Sequence, residues 1–409
     1  MILKQLESYL AAVDFPFDLS LLPASAYLVG GSVRDALLQR HKTHIDLDFV
    51  LPEKAIETAR ELAHRYNGGF VVLDEVRQIA RVVFPQGTLD LALQAGNSLE
   101  ADLHRRDYTI NAIAYNLAAQ QLVDPLQGLA DIEQGLIRMI SPANLEDDPL
   151  RLLRAYRQAA QLDFTIEENT RAAICDRVLL LKTIAAERVQ TELNYIFTSP
   201  LGNKWLAAAW SDGLLESWLP NIDQEKIEQL TAVEKAIEDC QAQGFNFADN
   251  YSDLIILAKL ATLLSSKPVT AETELSQLKY SRTQIKAVVS AVKQLPQLPR
   301  MKSLMSLREQ YFFFLEIKDV FPVLIIRAIA TGVDSAITTP LIKRYLDPQD
   351  QVAHPQPLVT GNDLILELNI KPSPIIGKIL TEIQIAYIEA KIATPSEALE
   401  LAAALIKSN

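Results

Sequence analysis

The short segment Asp46-Leu47-Asp48 has the spacing of a cation site. It lies in a run, Ile45 to Val50, in which Ile45, Leu47 and Phe49 alternate with the two aspartates. That alternation predicts a strand with one apolar face. Residues i and i+2 of a strand project to the same side. Two carboxylates held side by side repel each other unless a cation sits between them. Mg²⁺ suits such a pair, because it takes oxygen ligands and shares its coordination sphere with phosphates. The plainer alternative is a solvated outer strand face. Asp90, inside the alternating run Thr88 to Leu93, is a candidate third carboxylate on a neighbouring strand; an outward-facing polar residue would read the same way.

Two further clusters surround the pair. Gly30-Gly31-Ser32-Val33-Arg34-Asp35 follows the apolar run Ala26 to Val29. Two glycines let a backbone approach a phosphate closely, and the N–H groups of a following helix point at the anion. Ser32 adds a hydroxyl donor, although Ser32 with Asp35 three residues on is also the pattern of a helix capping box. Downstream lies Arg105-Arg106-Asp107-Tyr108-Thr109-Ile110-Asn111-Ala112. Arginine forks bind phosphates in bidentate fashion, and Asp107 and Asn111 are of the types that hydrogen-bond ribose hydroxyls. A charged helix start is the simple alternative.

The elements that must position these residues follow from periodicity. Strands are predicted at Ala26–Val29, Ile45–Val50, Phe70–Leu73, Ile79–Phe84 and Thr88–Leu93. Pro85-Gln86-Gly87 makes a short hairpin turn between the last two. Helices are predicted from Val33 to Gln39 and from Pro52 to Tyr66, the latter stopped by Asn67-Gly68-Gly69. Beyond about residue 140 strand signals nearly vanish, and Leu/Ala-rich helical spacing continues to 345. A Pro/Gln-rich stretch, 347–357, reads as a linker before a small helical tail.

Taken together, the segments Leu28 to Leu38, Asp46-x-Asp48 and Arg105 to Ala114 resemble, in order and spacing, the head motifs of class II tRNA nucleotidyltransferases and bacterial poly(A) polymerases. Asp147-Asp148-Pro149-Leu150-Arg151-Leu152-Leu153-Arg154-Ala155-Tyr156-Arg157 is similar to the family's neck motif. Glu187 to Leu193 and Gly361 to Lys378 are similar to later segments. The resemblance implies an α/β nucleotidyltransferase head with a mixed sheet (1–138), followed by an all-α neck (139–200), body (201–346) and tail (347–409).

The resemblance also implies roles. The 3′-hydroxyl of tRNA attacks the α-phosphate of a bound nucleoside triphosphate, CTP or ATP, with Mg²⁺ on Asp46 and Asp48 and with Asp90 as a candidate third acid. Gly30, Gly31, Ser32 and Arg34 cradle the triphosphate, and Arg106, Asp107 and Asn111 hold sugar and phosphates. Asp148 and Arg151 present hydrogen-bonding groups to the base, with Arg154 and Arg157 partly on the same helix face. Asp148 before Pro149 is equally a good helix N-cap. Arg188 is expected to support the neck, and His44 and His104 are given no catalytic role.

One departure bears on subclass. Family members that add the full CCA or the terminal A carry a flexible Arg-, Gly- and Pro-rich loop before the Arg-Arg-Asp motif. Here Asp90 to Leu103 runs into Arg105 without such an insertion. That resembles enzymes adding only the two C residues and implies a second nucleotidyltransferase that completes the CCA end. Rival readings are an A-adding enzyme or poly(A) polymerase of the same family, a non-catalytic RNA-binding protein on the scaffold, and a small-molecule nucleotidyltransferase.

Bulk composition fits this frame. The 409 residues, 49% of them hydrophobic, are enough for several globular units. Cys175 and Cys240 lack metal-ligand spacing, which makes a reducing cytoplasm the natural compartment. The first residues lack the apolar core of a signal peptide, and no run of about 18 apolar residues predicts a membrane span. The net charge of −12 is unusual for a nucleic-acid binder. Residues 282–344, however, hold ten Lys or Arg against four acids, a local excess of six positive charges that could track an RNA backbone.

Overall fold

The computed structural model describes Leu6, Leu10 and residues 15–40, 45–246, 251–300 and 305–407. His44 lies outside the described residues. The chain forms two compact units, Met1–Ser217 and Trp218–Asn409.

The first unit is built on a sheet of β1 (Tyr27–Val29), β2 (Ile45–Leu51), β3 (Gly69–Asp74), β4 (Ile79–Phe84), β5 (Gly87–Leu93), β6 (Ala114–Asn116) and β7 (Gln121–Val123). Their order is β3-β4-β5-β2-β1-β6-β7. All neighbours are antiparallel except β2 and β5, which run parallel. One face of the sheet is apolar. Leu47, Phe49 and Leu51 of β2, Ala80 and Val82 of β4, and Leu89 and Leu91 of β5 share a single core cluster. Helix α1 (Gly31–Leu37) contributes Val33 and Ala36 to that core, and α2 (Ala55–Arg65) contributes Ala55, Ile56, Ala59, Leu62 and Ala63.

This core fixes where the aspartates lie. A one-residue slip of β2 would turn its entire apolar set outward. Each large side chain so exposed would forfeit about 1.5–3 kcal/mol of burial. The register therefore keeps Asp46 and Asp48 off the core face.

Local chemistry moves some helix boundaries from those expected. Helix α1 begins at Gly31, because Gly30 serves as its N-cap without a side-chain bond. The capping box expected from Ser32 and Asp35 is not formed; Asp35 is buried against Arg34 instead. Helix α2 begins at Ala55, because Lys54 adopts a left-handed backbone with φ of 55°, which leaves Pro52 outside.

Helix α3 (Leu99–His104) leads into the Arg-Arg-Asp segment and α4 (Gly128–Gln134) closes the head. Two short strands, β8 (Leu136–Ile137) and β9 (Thr165–Ile166), pair in parallel. Helices α5 (Pro142–Asp147), α6 (Leu150–Leu162), α7 (Glu168–Cys175), α8 (Ala186–Thr198) and α9 (Gly202–Ser211) complete the unit. Helix α6 packs against both α8 and α9, so the segment expected to open the body at 201 groups with the neck helices.

The second unit is helical throughout its described elements. Gln224–Ala242, Tyr251–Leu263, Arg282–Gln294 and Phe321–Ala330 pack around one another. The stretch 347–357 is not a loose linker. The Asp350 carboxylate accepts from the backbone N–H groups of Val352 and Ala353 and from Arg344, tying it into turns. The tail helices Gly361–Glu367, Pro374–Ile388 and Pro395–Lys407 share a small core around Leu364, Ile379 and Ile383.

Gly87 opens β5 directly opposite Ile45. A Cβ there would sit 1.9 Å from the Ile45 carbonyl oxygen, so no side chain fits without breaking the parallel pair. Gly87→Ala is expected to cost roughly 3 kcal/mol and to lower the first unfolding transition in a thermal melt followed by circular dichroism; an unshifted melt would contradict the strand pairing.

Candidate active site

On the face of the sheet away from the core, parallel pairing places Asp46 beside Thr88 and Asp48 beside Asp90. The Thr88 hydroxyl donates to Asp46 Oδ1 at 2.7 Å. Asp90 is gripped by Arg81, its antiparallel partner on β4, through two hydrogen bonds of 2.7 and 2.8 Å. Among the described residues Asp48 has no such hydrogen-bonded partner. Burial raises its pKa to about 6, reinforced by the neighbouring charges of Asp46 and Asp90 against weaker opposition from Arg106 and Arg81. Negative charge is thus crowded on one face of the two central strands.

The glycine turn faces this cluster. Gly30 has φ of 73° and ψ of −140°, a region essentially closed to other residues. An added Cβ would lie 3.2 Å from an Arg106 guanidinium nitrogen and 3.5 Å from Asp48 Oδ2. The empty cradle is therefore bounded by a cation and an acid. The Ser32 hydroxyl donates to the Asp46 carbonyl at 2.7 Å, which locks the turn to β2.

Behind the turn lies a buried polar network. Arg34 donates to Asn111 Oδ1 at 2.7 Å and to Asp35. The Asn111 amide nitrogen donates to Asp107 Oδ1 at 2.9 Å and to Gln158 at 3.0 Å. Asp107 also accepts from the Tyr108 N–H and pairs with Arg154 at 3.0 Å. Burial pushes the Asp107 carboxyl up, but Arg154, Asn111 and the Tyr108 N–H outweigh it and hold the pKa at about 2. Asp107 and Asn111 are both 5% exposed. Through these bonds they brace Arg34 and Arg154.

Helix α6 supplies the opposite wall. Asp148 precedes it, its Oδ1 accepting weakly from the Leu150 N–H at 3.3 Å and its Oδ2 pairing with Arg188 at 2.9 Å. The N-cap of α6 is Pro149, which forms no side-chain cap, so Asp148 is not the N-cap expected of it; it ends α5 and pairs with Arg188. Arg151 donates to the Asn144 carbonyl, and Arg157 pairs with Glu192 and donates to Gln161. Arg106 is steadied by Asp102, which also accepts from the Ala95 N–H. His104 is bound to the carbonyl of Glu100 within its own helix.

These pieces meet around one cavity of about 340 Å³, the size of a nucleotide-type ligand site. Gly30, Gly31, Arg34, Asp46, Asp48, Arg106, Asp107, Asn111, Asp148, Arg151, Arg154 and Arg157 all line it. Ser32 and Asp90 stand outside its lining, in supporting positions. Two carboxylates on one strand face, crowded and next to a cradle only glycine can form, are a donor set that fits a divalent cation sharing its sphere with phosphate.

The residues not foreseen are Arg81, Thr88, Asp102, Gln158 and Glu192. Each holds a predicted residue in place. Counting outward from the Pro85–Gln86 turn would have put Arg81 opposite Asp90. Gln158, 1% exposed on an otherwise apolar stripe of α6, offered no signal in the sequence beyond its polarity.

A mixed sheet presenting an aspartate pair to a glycine turn, facing an arginine-studded helix, defines a nucleotidyl-transfer head. Comparison with known proteins agrees. Residues 26–95 and 90–138 match the poly A polymerase head domain, 163–226 the probable RNA and SrmB-binding site of polymerase A, and 251–403 the tRNA nucleotidyltransferase domain 2. A CC-adding tRNA nucleotidyltransferase of Synechocystis sp. is 48% identical over 402 residues, 96% of each chain. An A-adding tRNA nucleotidyltransferase of Deinococcus radiodurans is 30% identical over 92% of this chain and 94% of its own. The fold matches that of the Thermotoga maritima CCA-adding enzyme complexed with tRNA, with a TM-score of 0.71, 23% identity and 98% coverage of both chains. The chain belongs to the tRNA nucleotidyltransferase family. Among the described residues no helix is long and apolar enough to cross a membrane.

The Asp107–Arg154 pair makes a pH prediction. A carboxyl held below its unfolded value of 3.8 adds stability that is complete above about pH 4 and is lost as pH falls toward 2. Asp107→Asn is expected to destabilise the first unit by roughly 2 kcal/mol at neutral pH, and the gap to wild type should narrow as pH falls from 4 to 2. Denaturant titrations across that range check it; a gap constant with pH would exclude the pairing as its source.

Proposed function

We propose that this chain transfers CMP from CTP to the 3′ end of tRNA, without a nucleic-acid template, building the CC of the CCA end. The observation that carries this reading is the single cavity in which the glycine turn, the Asp46–Asp48 pair and the Asp148–Arg151 pair all meet. A nucleoside triphosphate needs these three things together: a cradle for phosphates, a place for charge neutralisation, and a fixed edge for the base.

In this reading Asp46 and Asp48 hold Mg²⁺, which when bound activates the attacking hydroxyl and neutralises charge on the transferring phosphoryl group. The residues of the chain do the positioning. Gly30 and Gly31 let the backbone come close to the triphosphate, with Arg34 and Arg106 supplying positive charge beside it. Arg154, braced by Asp107, adds a third guanidinium. Asp148 and Arg151 offer an acceptor and a fork to the base edge. A fixed pair of that kind can reject a base whose donors and acceptors are reversed, because a buried polar group would be left unpaired.

Subclass is read from the connection between β5 and α3. It comprises only residues 94–98, and the Ala95 N–H is tied to Asp102, which in turn holds Arg106. A short, anchored connection has no segment free to reshape the base pocket for ATP. The greater identity to the CC-adding relative than to the A-adding one supports the same reading. The RNA-binding surface is assigned to the helical second unit, which carries the basic stretch 282–344, and a partner nucleotidyltransferase would add the A.

The decisive experiment incubates three tRNA transcripts, ending before CCA, after C and after CC, with each nucleoside triphosphate in turn. Addition of C to the first two and of nothing to the third is expected; addition of A to the transcript ending in CC would overturn the subclass. Asp46→Ala should abolish incorporation in the same assay while tRNA binding in a filter assay persists, and wild-type turnover would reject the metal assignment. Asp148→Ala combined with Arg151→Ala should erode the preference for CTP over UTP more than it weakens binding; an unchanged preference would refute the base-selecting role.

A further inference from the structure

The two halves of the nucleotide cavity stand on different segments. Arg106 follows α3 and faces the glycine turn, whereas Asp148 and Arg151 belong to the start of α6. A nucleotide has a fixed reach from phosphate to base edge. Selection of the base therefore depends on the distance between the halves, and an error of about 1 Å is enough to spoil it. Asn144, the third residue of α5, joins them. Its N–H is fixed by the Ser141 hydroxyl, which accepts at 3.2 Å. Its side-chain amide nitrogen donates to the carbonyls of His104 and Arg106, both at 2.7 Å. Its own carbonyl accepts from the Arg151 guanidinium at 2.8 Å and, more weakly, from the Asp148 N–H at 3.4 Å. One residue is thereby bonded to the phosphate-facing segment through its side chain and to both Asp148 and Arg151 through its backbone.

The chemistry of the side chain suits this task. Two carbonyls that converge on one point can be met only by a group with two donors, which an amide nitrogen has and a carboxylate lacks. The bond to Arg151 uses a single Nη1 and leaves the other donors of its fork for the base edge. The backbone of Arg151 is held separately, because its carbonyl accepts from the Tyr108 hydroxyl at 2.5 Å. What Asn144 governs is therefore the guanidinium and its distance from Arg106. Asn144 does not line the cavity itself, so it acts on a nucleotide only through its neighbours. A brace without a part in selection would weaken the use of every nucleotide alike. A spacer between the phosphate-facing and base-facing halves would weaken the preferred one most.

We propose that Asn144 is a positioning residue for base selection: its side chain sets the distance between the Arg151 guanidinium and the Arg106 segment, and with it the preference for one base over another. The proposal rests on the base-selecting role given to Asp148 and Arg151. Transfer of CMP and of UMP to a tRNA transcript ending before CCA is to be measured for wild type, Asn144→Ala, Asn144→Asp, Arg151→Ala and the double variant Asn144→Ala with Arg151→Ala. Asn144→Asp keeps the size of the side chain and removes only its donors. Both Asn144 variants should lower the ratio of kcat/KM for CTP over UTP about tenfold and leave KM for the transcript unchanged. Arg151→Ala should lower the ratio as well, and adding Asn144→Ala to it should lower the ratio no further. Where turnover is too slow to follow, calorimetric binding of CTP and of UTP reads the same ratio. An unchanged ratio in both Asn144 variants overturns the proposal. Equal losses on CTP and UTP do so too, since they mark a brace only, as does a further tenfold fall in the Arg151→Ala background. A wild-type ratio in Arg151→Ala would reject the base-selecting reading and this proposal with it, whereas a wild-type ratio confined to the Asn144 variants rejects this proposal alone.

Discussion

Parallel pairing of β2 with β5, inside a sheet otherwise antiparallel, is the constraint from which the site follows. It brings Asp48 level with Asp90 and Asp46 level with Thr88 on the face opposite the apolar core. The result is a concentration of negative charge that the protein only partly offsets. Arg81 takes up Asp90, and Asp46 is left with a hydroxyl. Asp48 is left with a carboxyl raised to about 6 by burial and by the charges of Asp46 and Asp90. An acid cluster this close together is tolerated because the core pays for the register elsewhere.

The rest of the first unit is organised so that positive charge surrounds this cluster without collapsing onto it. Arg34, Arg106, Arg154 and Arg157 all border the cavity beside the aspartates, yet each is tethered to a different acid: Asp35, Asp102, Asp107 and Glu192. A free arginine would swing onto Asp46 or Asp48 and fill the space that a cation and a triphosphate need. Tethering holds the guanidinium groups at the rim. This explains why the Asp107–Asn111–Gln158 network is buried and saturated with bonds within the protein: it is the frame that keeps two of the four arginines in place.

Much of this was legible in the sequence. Alternation around Asp46 and Asp48 gave the strand and its two faces correctly, because a half-buried strand writes its orientation into every second residue. The spacing of Arg151, Arg154 and Arg157 placed them along one side of a helix, and all three line the cavity. What could not be read was which side chains hold the others. Ser32 looked like a phosphate donor or a capping residue, and the fold spends it on the Asp46 carbonyl. Asp107 and Asn111 both line the cavity and are at the same time bonded to Arg154, Arg34 and Gln158. Such assignments depend on contacts between residues 14 to 77 positions apart, as for Ser32 with Asp46 and Arg34 with Asn111, and no local pattern encodes them. Boundaries moved for local reasons, as where the left-handed backbone of Lys54 delays α2 to Ala55.

The distance along the chain between β2 and β5 has its own consequence for how the molecule assembles. The hairpin of β4 and β5 is a local structure with a two-residue turn, of a kind that closes within microseconds. Bringing β2 beside β5 means closing a loop of about 40 residues (Asp46 to Thr88 spans 42 positions), whose entropy must be met before any ladder bond rewards it. The hairpin, already carrying Arg81 bonded to Asp90, is then the surface onto which β2 docks. Asp90, the acid of that hairpin which would oppose the docking of two more carboxylates, is partly neutralised by Arg81, so the ion pair that steadies the finished site also eases the step that creates it.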